Sequence, residues 1–363
     1  MKIIFVVPRF RKSGPTTQLR YIITSLLKFY AQGSIDVQVI TLRKESNSTD
    51  IELFESIDGL NISSVQSNFN GLLNLIKISK LGESIIISSG LIADIACLIF
   101  APRSGWISIV RSFPPDDYKD KFGVLIGKVL SFLIKKILGC ASERVAVSES
   151  LRTRLDEFGL DTITIRNGVQ PIKHERINIF PNEIRKFLIV GNLRSLKNID
   201  NGIKLFIKIR KSNDVLTVLG EGPLRVDLEH TYADKKYIRF VGYENNVDKY
   251  YAEASCLISL SHSEGMPNAV LEALSWGIPC LLSPIPPHCE LKTIIPEAIN
   301  IVPDTLIDEA GNDLLVSSEY LLDMSLDTKL SVKYKCNSHF GLKRLFEDYK
   351  MLIEKIEDKI YDQ

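Results

Sequence analysis

Short apolar runs of strand length alternate along the whole chain with stretches of helical period, the signature of parallel βαβ units. In the first half the pattern predicts strands at residues 2–7, 35–41, 84–88, 106–110, 143–147 and 162–166, with helices such as 17–29 between them. The second half repeats the scheme, with strands at 186–190, 215–219, 237–241, 256–259 and 279–282 and helices after Lys197, Pro223, Asn245 and Pro267. Residues 167–185 carry two prolines, His174 and scattered charges without a stable period, which places a linker there. The expected fold class is α/β, with two doubly wound Rossmann-like domains whose parallel sheets face a cleft. The first domain is expected over residues 1–170, the linker over 171–184 and the second domain over 185–337. In such sheets ligands sit beyond the carboxyl ends of the strands, so the loops that follow strands are where chemistry is to be sought.

One stretch departs from the alternation. Residues 119–138 approach the apolar content of a spanning helix, with Phe122, Val124, Leu125, Ile126, Val129, Leu130, Phe132, Leu133 and Ile134. Lys121, Lys128 and Lys135 recur every seven residues, and with Lys136, Gly123 and Gly127 they argue against a transmembrane segment. Two readings remain open: an amphipathic helix lying on an anionic bilayer, or a core helix with a solvated lysine face.

Composition narrows the class. With 363 residues, 45% hydrophobic and 25% charged, the chain has material for two globular cores and none of the marks of a disordered or fibrous protein. The formal charge of +1 offers no global field for nucleic acid. Charge is unevenly spread: residues 1–170 hold 21 basic and 16 acidic side chains, while the remainder is net acidic. The six cysteines, at 97, 140, 256, 280, 289 and 336, form no CxxC pair and no cluster with histidine, so neither a zinc site nor a disulfide framework is expected. The opening apolar run, Ile3 to Val7, ends at Pro8 and is too short for a signal-peptide core, so the start reads as the first strand of a cytoplasmic domain.

The strongest chemical signal is His262-Ser263-Glu264-Gly265-Met266-Pro267-Asn268-Ala269-Val270-Leu271-Glu272-Ala273-Leu274-Ser275-Trp276-Gly277-Ile278-Pro279. It follows a strand, passes a glycine, enters a helix at Pro267 in the first helical position and ends at Gly277. The backbone at Met266 to Ala269 would then lie at a positive helix terminus, a site suited to a diphosphate, with Glu264 and Glu272 flanking it. Carboxylates beside such a site suit hydroxyl groups, which a nucleotide sugar offers on ribose and hexose alike.

Glu264 and Glu272, separated by seven residues within EGMPNAVLEALSWGIP, resemble the paired-glutamate motif of the group 1 (family 4) retaining glycosyltransferases of the GT-B fold. The resemblance assigns Glu264 to hydroxyls of the donor sugar and Glu272 to the ribose. Val190-Gly191-Asn192-Leu193-Arg194-Ser195-Leu196-Lys197 resembles the family's strand-to-helix loop that holds the donor diphosphate. Lys197 matches its lysine, while Asn192 fills the arginine position and Arg194 lies two residues on. Gly220-Glu221-Gly222 resembles the family's glycine-rich turn, and Gly242-Tyr243 the segment facing the base. Gly14 stands where relatives approach the donor phosphate from the first domain, and residues 338–363 match the last helix, which crosses back to that domain.

Many relatives carry a histidine in the first domain near the reacting carbon. Here His174, His230, His262, His288 and His339 all follow it, and serine occupies that position near Ile87-Ser88-Ser89. Asp94, Asp116 and Asp117 are candidate bases, and a front-face displacement in which the departing phosphate oxygen takes the acceptor proton needs none. No Asp-x-Asp occurs, so metal ligands of the usual kind are missing and no cofactor is expected. The resemblance implies transfer of a sugar from a nucleoside diphosphate sugar, commonly a UDP-sugar, to a saccharide or lipid-linked saccharide in polysaccharide biosynthesis. The enzyme would be cytoplasmic or peripheral at the inner face of a membrane. A GT-B sugar-nucleotide epimerase and a catalytically silent binding partner are the alternatives.

Overall fold

The computed structural model describes residues 1–10, 13–31, 33–43, 52, 54–63, 84–101, 105–172, 184–244, 246–303 and 321–361. The chain packs as two units, Met1–Gly168 with Leu342–Gln363, and Val169–Gly341. Most of the expected linker, with His174, lies outside the described residues.

The first unit is a seven-stranded parallel sheet in the order β3-β2-β1-β4-β5-β6-β7. Its strands are β1 (Lys2–Val7), β2 (Asp36–Thr41), β3 (Leu60–Ser63), β4 (Ser84–Ser89), β5 (Trp106–Val110), β6 (Glu143–Ala146) and β7 (Ile163–Thr164). Strands β1, β4 and β5 are buried on both faces, which explains their unbroken apolar or small composition. Helices α1 (Gly14–Phe29), α2 (Leu91–Phe100), α3 (Pro114–Phe122), α4 (Val124–Leu138) and α5 (Glu149–Glu157) connect them. Ser148 caps α5 by accepting from Leu151 N–H at 3.1 Å.

The single helix anticipated over 119–138 is instead two helices, broken at Gly123 with φ of +79°. Gly127 explains the sharp turn, because a Cβ there would lie 2.8 Å from the Lys119 backbone nitrogen. Only Gly127, Ser131, Ile134 and Leu138 of α4 are buried. Leu125, Val129 and Phe132 face outward, at 82%, 61% and 59% exposure, so α4 is no core helix with a merely polar outer face. The lysine stripe is also less uniform than its spacing suggests, for Lys121 pairs with Asp117 at 2.5 Å and Lys135 lies over the Phe158 ring.

The second unit is a six-stranded parallel sheet in the order β10-β9-β8-β11-β12-β13. Its strands are β8 (Lys186–Val190), β9 (Val215–Leu219), β10 (Ile238–Gly242), β11 (Cys256–Ser259), β12 (Cys280–Leu282) and β13 (Ile299–Ile301). This is the doubly wound order in which the chain reverses direction across the sheet between β8 and β11. Helices α6 (Ile199–Ile209), α7 (Arg225–Thr231), α8 (Asp248–Tyr251), α9 (Asn268–Ser275), α10 (Pro286–Ile294) and α11 (Leu326–Phe340) complete it. Phe187, Phe206, Leu216, Val218 and Ile258 are among the residues of its core, and Arg185 binds Asp214 Oδ2 at 2.9 Å at one end.

Helix α12 (Leu342–Tyr361) packs in the first unit. Phe346 meets the rings of Phe29 and Tyr30, and Lys355 and Lys359 both reach Glu143 at 2.8 Å.

Candidate functional site

Three glycine turns meet at the carboxyl ends of β8, β9 and β10. Gly191 N–H donates to Leu219 O at 3.0 Å, and Gly220 N–H donates to Gly242 O at 2.8 Å. Gly220 has φ of +137°, and a Cβ on it would lie 1.8 Å from the Gly191 carbonyl oxygen, so no other residue fits. Asn192 lies against Gly222, whose hypothetical Cβ would meet its Oδ1 at 2.6 Å. Glu221 pairs with Arg225 beside Gly242 and accepts from Tyr243 N–H at 3.3 Å, leaving the Tyr243 side chain about half exposed. Arg194 precedes a short 3₁₀ turn (Ser195–Lys197) that delivers Lys197 to the mouth of the β8 end.

The β11–α9 segment supplies the opposite wall. Pro267 is not the first helical residue anticipated; it is the N-cap, with ψ of 95°, and its carbonyl accepts from Val270 and Leu271 N–H at 3.1 Å. An extended ψ here lets the chain turn from Gly265 into the helix, and the shift leaves the donors before Val270 outside the helix's own ladder. Gly265, Met266, Asn268 and Ala269 therefore stand at the positive end of α9, as the sequence implied.

Glu264 and Lys197 form an ion pair although 67 residues separate them. The pairing follows from topology: Lys197 comes after β8 and Glu264 after β11, and those strands adjoin where the sheet reverses. Ser261 Oγ donates to Glu264 Oε1 at 2.8 Å. Burial pushes the Glu264 carboxyl up, but the Lys197 ammonium and the Ser261 hydroxyl outweigh it and hold the group below the ordinary carboxylate range. A crevice lined by Lys197, Asn198, Ser259 and Ser261 opens beside the pair.

Glu272 is the electrostatic opposite. Burial pushes its carboxyl up to about 7, with Asp248 adding to the rise and the Tyr251 hydroxyl opposing it. Tyr251 Oη donates to Glu272 Oε2 at 2.8 Å. One glutamate of the pair is thus held charged and the other is poised to titrate near neutral pH.

Sequence reasoning passed over three partners. Tyr251 is a core residue, 1% exposed, yet its hydroxyl reaches Glu272. Ser261 lies three residues before Glu264, and a hydroxyl at that spacing was the available signal. His288, on α10, is fully buried; its Nδ1 lies 3.0 Å from the Ser283 carbonyl, so that nitrogen carries the proton. Burial lowers its pKa to about 4, which keeps it neutral near Glu264.

In the first unit, Gly14 opens α1 ahead of Pro15. The candidate bases fare poorly. Asp94 is buried, accepting from Ser88 and Ser108 hydroxyls at 2.7 and 2.8 Å, so it ties strands together instead of facing solvent. Asp116 is engaged by Arg154 at 2.9 Å and Asp117 by Lys121.

Two Rossmann-like units, with a lysine–glutamate pair and a helix start at the reversal point of the second, define the GT-B class of fold. Solved structures agree. Sucrose-phosphate synthase from Thermosynechococcus elongatus superposes with a TM-score of 0.75 at 15% identity, covering 98% of this chain and 99% of that one. Anabaena HepE, solved in complex with UDP-glucose, gives 0.74 at 14% identity, covering 98% and 100%.

Residues 172–293 match the model of the family "Glycosyl transferases group 1". Among curated relatives, the Escherichia coli UDP-Gal:alpha-D-GlcNAc-diphosphoundecaprenol alpha-1,3-galactosyltransferase is 33% identical over 107 residues, 27% of this chain and 28% of that protein. The Bacillus anthracis N-acetyl-alpha-D-glucosaminyl L-malate synthase is 23% identical over 180 residues, 48% of this chain and 46% of its own. The chain spans less than half the length of these two relatives.

Proposed function

We propose that the protein is a glycosyltransferase that moves a sugar from a nucleoside diphosphate sugar to a saccharide or lipid-linked saccharide, with retention of anomeric configuration. The observation that carries the reading is the Lys197–Glu264 pair beside the α9 start. A donor diphosphate laid against Gly265 to Ala269 recruits Lys197, and Glu264, relieved of its cation, accepts hydroxyls of the sugar. Glu272 accepts from the ribose. The bond between anomeric carbon and phosphate oxygen breaks as the acceptor oxygen attacks from the same face, and the departing oxygen takes the acceptor proton. Lys197, Arg194 and the helix start stabilise the charge that develops on the leaving diphosphate.

Uridine is the base this reading favours. HepE was solved with UDP-glucose and the E. coli relative is named for UDP-Gal, which supports it. Titrating the full chain with UDP-, GDP- and ADP-sugars in a thermal-shift panel tests the reading, because a ligand of the native state raises the melting temperature with its affinity. A UDP-sugar is expected to give the largest shift, lost in Glu272→Ala, while Lys197→Ala lowers turnover more than donor affinity. No shift with any nucleotide sugar would remove the reading.

A peripheral membrane contact belongs to the same proposal. No helix among the described residues is long and apolar enough to cross a membrane. The outward face of α4, with Leu125, Val129 and Phe132 beside exposed Lys128 and Lys136, suits the surface of an anionic bilayer. The E. coli relative's acceptor, by its name, is alpha-D-GlcNAc-diphosphoundecaprenol, which supports a lipid-linked saccharide acceptor here. Flotation with phosphatidylglycerol vesicles should recover the protein, and Leu125→Glu with Phe132→Glu should abolish recovery; equal recovery of both would refute the contact.

A further inference from the structure

Arg111 follows β5 at its carboxyl end, in the first unit, and no carboxylate answers its charge among the described residues. Its Nε donates to Ser89 Oγ at 2.6 Å, Ser89 being the last residue of the adjoining strand β4. Its other electrostatic neighbour is the buried phenol of Tyr349 on α12. Burial works against the guanidinium, lowering its pKa, and that cost is usually offset by an acidic partner.

A second guanidinium approaches Tyr349. Arg344, also on α12, donates through Nη2 to the Arg166 carbonyl and through Nη1 to Asp348, both at 2.6 Å. Its Nε is buried with no acceptor. Tyr349 thus lies under the influence of two guanidiniums, Arg111 and Arg344, and one carboxylate, Asp348. Asp348 answers Arg344, so the charge left over is that of Arg111, held through its Nε on Ser89.

Placement gives this surplus its meaning. The sheet of the first unit reverses between β1 and β4, and Ser89 and Arg111 stand at the carboxyl ends of β4 and its neighbour β5. Ligands of doubly wound sheets bind beyond these ends. With Nε anchored on Ser89, the remaining Nη groups of Arg111 form a fixed planar fork, the geometry that grips two oxygens of a phosphate.

We propose that Arg111, anchored by Ser89 and left without a carboxylate partner among the described residues, binds a phosphate group carried by the acceptor. The inference rests on the transferase reading for the word acceptor, and on the first unit alone for the site. A soluble sugar phosphate and a lipid-linked saccharide diphosphate offer the same group.

The test uses the full chain saturated with UDP, so that the donor's phosphate site is filled. Calorimetric titrations with glucose 1-phosphate and with detergent-solubilised farnesyl diphosphate N-acetylglucosamine distinguish the two sources, and methyl glucoside serves as the uncharged control. At least one phosphorylated ligand should bind saturably and the control should not. Arg111→Gln should weaken that binding about tenfold or more, with Arg111→Lys recovering part of it, since the charge returns without the fork. UDP affinity should stay unchanged in both variants. Ser89→Ala carries the test should Arg111→Gln not fold, and a severalfold loss is expected. Absence of saturable binding to the wild type, or binding that Arg111→Gln leaves within twofold, overturns the proposal. Loss of UDP binding with phosphate binding retained would instead remove the donor reading and leave this site standing.

Discussion

Glu272→Gln isolates a titration with an unusual sign. In the folded chain burial lifts the Glu272 carboxyl to about 7, against an ordinary 4.5. Between those values the native state keeps a proton that the unfolded chain has lost, so this group's contribution to stability falls as pH rises. The gap, at about 1.4 kcal/mol per pH unit, is worth about 2.5 kcal/mol between pH 5 and pH 8, and partial solvent contact trims it to about 2. Glutamine preserves an acceptor for the Tyr251 hydroxyl and does not titrate. Urea unfolding of wild type and variant at pH 5 and pH 8 should therefore show the variant gaining about 2 kcal/mol on the wild type across that interval. Taking the difference cancels groups common to both proteins, including His288, whose lowered pKa of about 4 gives the opposite slope below 6.5. Donor affinity should move the other way: the wild type binds a UDP-sugar more tightly at pH 8 than at pH 6, because the anion is the better acceptor for ribose hydroxyls, and the variant is flat. Superimposable pH dependences of stability would show that Glu272 is not held protonated by burial, and the reasoning would fail.

Other perturbations test the frame around the site. Gly220→Ala, which sets a Cβ 1.8 Å from the Gly191 carbonyl oxygen at a φ of +137°, should cost about 2–4 kcal/mol in urea unfolding and weaken UDP binding with it. Asp214→Ala leaves Arg185, whose side chain is 14% exposed, without its partner; a loss of about 3 kcal/mol or more is expected at pH 7. Asp214 is pushed up by burial but held below the usual range by Arg185 and backbone N–H groups, so the wild-type advantage should shrink as pH falls below about 4. Lys197→Ala should destabilise by about 2 kcal/mol at pH 7 by stranding the Glu264 carboxylate, and adding Glu264→Gln should restore most of it, as a double-mutant cycle would reveal.

The strands were legible because parallel strands buried on both faces leave short apolar runs that nothing else in the chain imitates. β1, β5, β8, β9 and β11 fall at their anticipated residues. β3 and β13 escaped for the same reason reversed: Leu60–Ser63 alternates with polar residues at a sheet edge, and Ile299–Ile301 is only three residues long. The break at Gly123 was hidden because apolar side chains continue through it, and only close approach of Gly127 to Lys119 makes the turn necessary. Within the site, motif spacing located Glu264, Glu272 and Lys197 but could not tell which carboxylate is charged. That depends on Ser261 and Lys197 at one and on Tyr251 and Asp248 at the other, contacts that fold topology sets.

The Lys197–Glu264 pair also constrains how a donor would bind. Without ligand the two charges satisfy each other, so a bare nucleotide that draws Lys197 to its phosphates strands a partly buried carboxylate, with only the Ser261 hydroxyl left to it. A nucleotide sugar supplies hydroxyls to that carboxylate at the same moment, so both halves of the broken pair find new partners. Recognition of sugar is in this way coupled to release of the lysine that the leaving group needs. The same site should favour a UDP-sugar over UDP in the wild type and lose that preference in Glu264→Gln, where no charge is left behind.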